Sequence, residues 1–251
     1  MYTEEELKKL AEEEDDLTEE AIAAILVTLG ITESELKKEI RNFYATYGTD
    51  GVITYQEARK WVSTRNHTRR LYALNEILNA LFGDAFDEFE VTFTNHLRQI
   101  VMKEADFYGI SLDIDEILNT PWGDDALTGL QRLWAHKDKW TSVIGNDLKS
   151  AFLKRDDLAD VLLQMSKRGE SIDTILTRLL RTESSAVSSI AHKKIYEKQG
   201  VKRYMFLHMD GCTCEKCNDM DGRVFLLSEY EVGVTANPLH PNCDDRTMAV
   251  D

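Results

Sequence analysis

The chain has 251 residues, 43% of them hydrophobic, and a formal net charge of -15 at pH 7. This composition supports a hydrophobic core but argues against a surface built to wrap nucleic acid, because binding to phosphates needs concentrated lysine and arginine. The acidic N-terminal segment does not resemble a secretory signal peptide, and no apolar run approaches the roughly 20 residues of a membrane span, so we expect the protein to fold in a cytoplasm.

The first part of the chain is predicted to be helical. A charged segment over residues 3–20 leads into an apolar stripe at helical spacing, and Gly30 is expected to end this first helix. A second helix follows Thr32, and a short strand over residues 52–55 separates it from a third helical region. Residues 86–108 carry a long apolar stripe, which is typical of packing between helices in a core.

The most basic window of the chain lies in the helical region of residues 55–81. It contains five cations that could contact DNA or an acidic partner: Arg59, Lys60, Arg65, Arg69 and Arg70. A solvated helix face is the ordinary role of such residues, and a contact patch for DNA is the alternative.

Further helices are predicted up to residue 200. Asp124 and Asp125 precede one of them, and we expect them to cap its N-terminus rather than to bind a metal, because carboxylates are favourable there. Helix is predicted again over residues 156–167, and two more helices are expected between residue 170 and residue 200, with a short break at residues 181–183.

The pattern changes after Gly200. Residues 201–208 and 223–227 are predicted strands, and Asp221 and Gly222 form a hairpin-type turn between them. The sequence therefore predicts a mainly α fold, an elongated multi-helix body with a small C-terminal β-containing unit that Cys and His residues clip together. Three regions are expected: a helical region at 1–110, a second helical region at 111–200, and the small unit at 201–251.

Four residues of this small unit have the spacing of metal ligands: Cys214, Cys217, His240 and Cys243. Each pair has two intervening residues, and 22 residues separate the pairs. Two such pairs on separate turns can meet as a tetrahedral Cys₃His set, which suits zinc. Because four protein ligands leave no open position for water, the predicted zinc is structural.

Other interpretations of the cluster stay open. Cys212 is a further thiol nearby, so the ligand set could differ. The cysteines and His240 could also pack without any metal. The pair Cys214 and Cys217 could act in redox chemistry, although the strand and helix N-terminus of a thioredoxin-type motif are not evident.

An enzyme is the alternative to a structural role. Arg181 and Glu183, with His208 or His240, could serve a metal-dependent nuclease or a group transferase. Against this, the four ligands fill the zinc shell, and the sequence shows no nucleophile–base pair and no phosphate-binding loop. We therefore predict no catalytic residues, no cofactor-binding residues apart from the metal ligands, and a protein that is not an enzyme. A free-standing zinc-dependent nucleic-acid-binding module is disfavoured by the acidic charge, including an acidic tail formed by Asp244, Asp245 and Asp251.

The order of motifs resembles one family. The motifs are Arg181-Thr182-Glu183, Lys198-Gln199-Gly200-Val201 with Tyr204, the run from Asp210 through Cys214 and Cys217 to Met220-Asp221-Gly222 and Phe225, and Pro238-Leu239-His240-Pro241-Asn242-Cys243. Over roughly residues 120–246 the chain resembles the Mu F-like minor head, or head morphogenesis, proteins of tailed phages. That family often ends in Cys-Arg-Cys, whereas Asp244, Asp245 and Arg246 follow Cys243 here. If the second cysteine is a ligand in relatives, His240 or Cys212 would have to complete the site in this chain.

The resemblance implies a minor capsid protein that associates with the phage portal protein and other head proteins. Such a protein aids head assembly and the packaging or delivery of DNA. It would act in the host cytoplasm during assembly and then in the virion, inside the head near the portal, with no membrane contact. Residues 111–200 would be the helical part of the Mu F-like domain.

Overall fold

The computed structural model describes residues 2–54, 56–57, 64–209 and 214–250, without the side chains of residues 64–75. Two of the predicted DNA-contacting cations, Arg59 and Lys60, lie outside the described residues, and so does Cys212. The side chains of the other three, Arg65, Arg69 and Arg70, also lie outside the description.

The fold is mainly helical, as predicted, with 71% of residues in helices. The long helices and one short helix are α1 (Glu4–Tyr47), α2 (Thr64–Tyr108), α3 (Ile114–Leu118), α4 (Gly129–Lys154) and α5 (Leu158–Gln199). The predicted apolar stripe of residues 86–108 lies within α2, and its members Phe89, Phe93 and Ile100 are buried. Among the described residues no helix is long and apolar enough to cross a membrane.

The prediction that Gly30 ends a helix is wrong, because α1 continues through it. A glycine inside a helix costs about 1 kcal/mol relative to alanine. Burial on the flanking turns offsets this cost, since Ile25, Leu29 and Leu36 are almost inaccessible to solvent. Each such side chain contributes about 1.5–3 kcal/mol by burial.

The predicted break at residues 181–183 is also absent, and α5 is continuous. The Thr182 hydroxyl donates to the Arg178 carbonyl oxygen at 2.6 Å, and the Ser184 hydroxyl donates to the Leu180 carbonyl oxygen at 2.8 Å. Both side chains therefore bond to the preceding turn of the same helix, so they do not interrupt the backbone ladder.

Helix α4 is capped by a different residue from the predicted ones. The Thr128 hydroxyl accepts from the Gln131 backbone N–H, and the Gln131 side chain accepts from the Thr128 N–H at 2.9 Å, which is a reciprocal capping box. The prediction that Asp124 and Asp125 cap this helix is therefore wrong. Asp125 instead binds the Arg132 guanidinium.

Two small antiparallel sheets complete the fold. The first contains β1 (Gly48–Thr49) and β2 (Val52–Ile53). The second contains β3 (Arg203–Leu207), β4 (Val224–Leu226) and β5 (Arg246–Ala249), in the order β4-β3-β5. A short helix α6 (Glu215–Met220) lies between β3 and β4, and a 3₁₀ turn (Leu227–Glu229) follows β4.

The C-terminal sheet confirms two predicted strands and adds one. Tyr204 of β3 is opposite Phe225 of β4, and the Arg223 N–H closes the predicted turn onto the Met220 carbonyl oxygen at 3.0 Å. Gly222 has a φ of +70° in that turn, which glycine adopts at low cost. The third strand, β5, pairs with the other edge of β3 and was not predicted.

The chain divides into two compact units. The first unit contains Met1–Ala23, Val91–Arg132 and Leu176–Asp251, and the second contains Ala24–Glu90 and Leu133–Ile175. In the first unit, Tyr204 of the sheet shares a hydrophobic core with Tyr196 of α5 and Tyr108 of α2. In the second unit, Phe86 packs against Trp140 with ring centroids 5.6 Å apart.

A charged network is buried in the first unit. Arg246 of β5 binds Glu14 through Nη2 at 2.5 Å and Glu104 through Nη1 at 3.3 Å. Glu104 also accepts from Ser188 at 2.5 Å and lies 2.9 Å from His192 Nε2. The network joins α1, α2, α5 and β5, so four segments that are distant in sequence depend on the same charges.

Candidate metal centre

Two local turns supply the candidate ligands. Cys214 is the N-cap of α6 and has an extended backbone, which places Cys217 in the first turn of the helix. The Cys243 N–H donates to the His240 carbonyl oxygen at 3.2 Å and forms the second turn. Within that turn Asn242 has a φ of +59°, a conformation that asparagine tolerates better than most residues.

Helix α5 anchors the loop that carries His240 and Cys243. The Asn237 side-chain amide donates to both the carbonyl oxygen and the hydroxyl of Ser185, at 3.1 and 2.9 Å. The Asn242 N–H donates to the Thr182 hydroxyl at 3.1 Å. These bonds hold the C-terminal loop against α5.

The candidate ligands fall into two overlapping groups around Cys217. One group contains Cys214, Cys217 and His240, and the other contains Cys217, Cys243 and Asp245, with the donor atoms of each group within 4.8 Å of one another. The Sγ atoms of Cys217 and Cys243 are 4.0 Å apart. Two thiolates on a tetrahedral zinc lie about 3.8 Å apart, given Zn–S bonds of about 2.3 Å, so this spacing suits a metal.

His240 is oriented as a metal ligand would be. Its Nδ1 lies 2.8 Å from the Pro241 carbonyl oxygen, which can only accept, so Nδ1 carries the proton. The lone pair of Nε2 is then directed at Cys217 Sγ, 3.1 Å away. Metal-binding histidines commonly donate their other ring N–H to a carbonyl or carboxylate in this way.

The buried thiols hold their protons when no metal is present. Burial, with the neighbouring Asp245 carboxylate, raises the pKa of Cys243 to about 12. Burial and hydrogen bonding to Asp245 also raise the pKa of Cys217. A cysteine binds a metal as the thiolate, so metal binding at this cluster must release protons.

Asp245 is a member of the cluster that sequence reasoning missed. It was interpreted as part of an acidic tail, but its side chain is fully buried. Its Oδ1 accepts from His208 Nδ1 at 2.8 Å and from the Met209 N–H at 3.0 Å, and its Oδ2 lies 3.1 Å from Cys243 Sγ. The available signal was its position two residues after Cys243, where the Mu F-like family often has a cysteine.

Arg181 and Glu183, the residues of the enzyme alternative, form ion pairs in the first unit. Glu183 is buried and accepts from Arg132 Nη1 at 2.7 Å and from Trp122 Nε1 at 2.9 Å. Burial raises the pKa of Glu183 although Arg132 opposes the shift. Arg181 binds the carboxylates of Asp15 and Glu19. Both oxygens of Glu183 are therefore engaged in holding the loop before α4 against α5.

The thiols, imidazole and carboxylate of this cluster are the donor types that bind zinc, and the cluster could hold a metal ion. No curated protein and no solved structure matches the chain significantly. Residues 143–248 match the family model described as Phage Mu protein F like protein. That family is one of structural phage proteins and not of enzymes. The matched segment includes all four predicted ligands and Glu183, and the family is the one that the order of the C-terminal motifs predicted.

Proposed function

We propose that the chain is a minor capsid or head morphogenesis protein of a tailed phage. The match of residues 143–248 to the Mu F-like family carries this proposal. On this proposal the protein associates with the portal vertex and aids head assembly and the packaging or delivery of DNA. It acts first in the host cytoplasm and afterwards inside the virion head near the portal.

The chemistry of the first unit supports a structural and interaction role. Glu183 and Arg181 are both engaged in ion pairs. The side chain of Glu104 is inaccessible to solvent. A catalytic carboxylate has to reach substrate, and these carboxylates and the arginine hold elements of the fold together instead. We infer that the protein is not an enzyme, and that the metal at Cys214, Cys217, His240 and Cys243 is a structural zinc.

Association with the portal is the direct test. Co-expressed with the portal protein of the same phage, the full chain should co-elute with the portal ring during size-exclusion chromatography. The portal protein of an unrelated phage is the matched control and should elute without the chain. Separate elution of the chain and its own portal, with both at tens of micromolar, would contradict the proposed association.

We further propose that Arg59, Lys60, Arg65, Arg69 and Arg70 contact DNA, on the basis of their clustering in the sequence. Replacing all five with glutamine should weaken DNA binding and reduce its dependence on salt, because each lost phosphate contact lowers the log–log salt slope by about 0.9. The control variant changes five exposed lysines elsewhere to glutamine, namely Lys9, Lys38, Lys139, Lys149 and Lys167. Equal salt slopes for both variants would argue against a DNA contact at the basic window.

A further inference from the structure

One carboxylate oxygen of Asp245 faces the candidate metal centre. Its carboxylate is fully buried and belongs to the group formed with Cys217 and Cys243. Buried carboxylates are expensive unless each oxygen has a hydrogen-bond donor or a cation. The partners of the two oxygens therefore decide what this side chain does.

The two oxygens of Asp245 have different partners. Oδ1 accepts two hydrogen bonds, from His208 Nδ1 and from the Met209 backbone N–H. These bonds fix the plane of the carboxylate without involving any candidate ligand. Oδ2 points the other way and accepts a hydrogen bond from the Cys243 thiol at 3.1 Å, and the Cys217 thiol also bonds to this carboxylate.

Metal binding would remove the donor of Oδ2. A cysteine that coordinates a metal is a thiolate and has no S–H proton to donate, and this holds for both Cys217 and Cys243. Oδ2 would then be a buried anionic oxygen beside anionic sulfur, and a buried charged group without a hydrogen-bond donor or a cation is strongly destabilising. Coordination of the metal by Oδ2 removes this cost.

We propose that Asp245 is a direct ligand of the metal, through Oδ2, together with Cys217 and Cys243. The inference rests on the proposed structural zinc site and revises its ligand set. Because a tetrahedral site has four positions, Asp245 takes the place of Cys214, and the set becomes Cys217, Cys243, His240 and Asp245. A divalent ion that accepts all three donor types is required, and zinc does so, with carboxylate oxygens at about 2.0–2.2 Å. His208 acts as a positioning residue that orients the carboxylate.

Cobalt(II) is the probe, because it occupies zinc sites and its visible absorption reports the ligands. Metal-free full-length protein is titrated with Co²⁺ as wild type, Asp245→Asn, Asp245→Cys and Asp244→Asn. Asp244 is exposed and one residue away, so its variant is a matched control for the loss of charge. Loss of a residue that only supports a ligand lowers metal affinity about 10–100-fold, so loss of a direct ligand should exceed that range.

Asp245→Asn should shift the cobalt ligand-field bands and lower affinity more than 100-fold, and Asp244→Asn should match wild type. Asp245→Cys should retain cobalt and gain sulfur-to-cobalt charge-transfer absorption, which keeps the test valid if Asp245→Asn does not fold. Unchanged ligand-field bands in Asp245→Asn, even at reduced affinity, would show that Asp245 is not a direct ligand. The proposed metal site itself would still stand. A wild-type protein that binds neither Co²⁺ nor Zn²⁺ would contradict both the proposed metal site and the role of Asp245 in it.

Discussion

Replacing Cys217 with serine should abolish metal binding and unfold α6 and the loop that carries His240 and Cys243, while α2 and α5 remain helical. Cys217 belongs to both groups of candidate ligands, so neither set formed by the described residues avoids it. The loss of affinity should exceed 100-fold, or about 2.7 kcal/mol, because even residues that merely support a ligand cost about 10–100-fold. Elemental analysis gives the zinc content, and hydrogen exchange of the amides of α6 and of the His240–Cys243 loop reports the loss of structure.

We expect metal binding to have a large effect on local stability, because the hydrophobic core at the candidate metal centre is small. Its buried members are Phe206 and Leu239 together with the sulfur atoms of Cys217 and Cys243. So few large apolar groups do not hold α6 and the His240–Cys243 loop in place unaided, and structural zinc typically makes up such a deficit. Chelation of the wild-type protein should therefore produce the same exchange pattern as the serine variant.

Cys212→Ser is the matched control, since it makes the same chemical change at a cysteine outside the proposed set. It should retain one equivalent of zinc and normal protection of α6 and of the His240–Cys243 loop. The reverse result, with zinc lost in Cys212→Ser and kept in Cys217→Ser, would show that the ligand set is wrong. Less than about a tenth of an equivalent of zinc in wild-type protein purified without chelator would contradict the metal clip itself.

Features that depend on spacing along the chain could be predicted from the sequence. Residues 86–108, which carry the apolar stripe, lie in a helix, and residues 203–207 and 224–226 are strands. The two-residue gaps in the pairs Cys214–Cys217 and His240–Cys243 also predicted local structure, because each pair lies on a single turn. Periodicity and short spacing report the local backbone, and they were sufficient for these elements.

Features that depend on distant partners could not be predicted in this way. Gly30 is a poor helix residue in isolation, and only the burial of its neighbours keeps α1 continuous. Asp245 and Arg246 are charged residues in an acidic chain, and a charged residue is ordinarily exposed. Their burial follows from contacts with residues such as Glu104, which is 142 positions from Arg246 in the sequence. No local pattern records that pairing.

Replacing Arg246 with methionine should destabilise the first unit by about 3–5 kcal/mol, because it leaves the buried carboxyl groups of Glu14 and Glu104 without the cation that binds both. Methionine fills much of the volume of the arginine stem, so the effect reports charge more than packing. Urea unfolding at pH 7, followed by near-ultraviolet circular dichroism, measures it. Arg223→Met is the control, since Arg223 is exposed in the turn directly before β4, and surface substitutions stay within about 0.5 kcal/mol.

The pKa values of the two buried carboxyl groups in this network shift in opposite directions. Burial raises the pKa of Glu104, but His192, Arg246 and Ser188 together outweigh it, so its pKa is lowered. Glu14 has Arg246 as its main partner, and its Oε1 has no hydrogen bond among the described residues. Burial therefore raises the pKa of Glu14 well above its ordinary value of 4.5.

These opposite shifts give the pH dependence a definite sign. Folded Glu14 keeps a proton that the unfolded chain has already released, so its contribution to stability is complete below pH 4.5 and is lost as the pH rises through the folded pKa. Glu14→Gln cannot titrate, and it should flatten the decline in stability above pH 4.5. In the Arg246→Met background the decline should be steeper, because Glu14 and Glu104 then both lack the cation.

The double variant Arg246→Met with Glu14→Gln separates charge from packing. If the cost of Arg246→Met comes from uncompensated carboxylates, removing one of them should restore part of the stability, with a coupling of about 0.5–3 kcal/mol between the two sites. If the cost comes from lost packing, the two effects should simply add. Additive free energies of unfolding, together with an unchanged pH slope in Glu14→Gln, would show that the network is held by shape and hydrogen bonds and not by its charges.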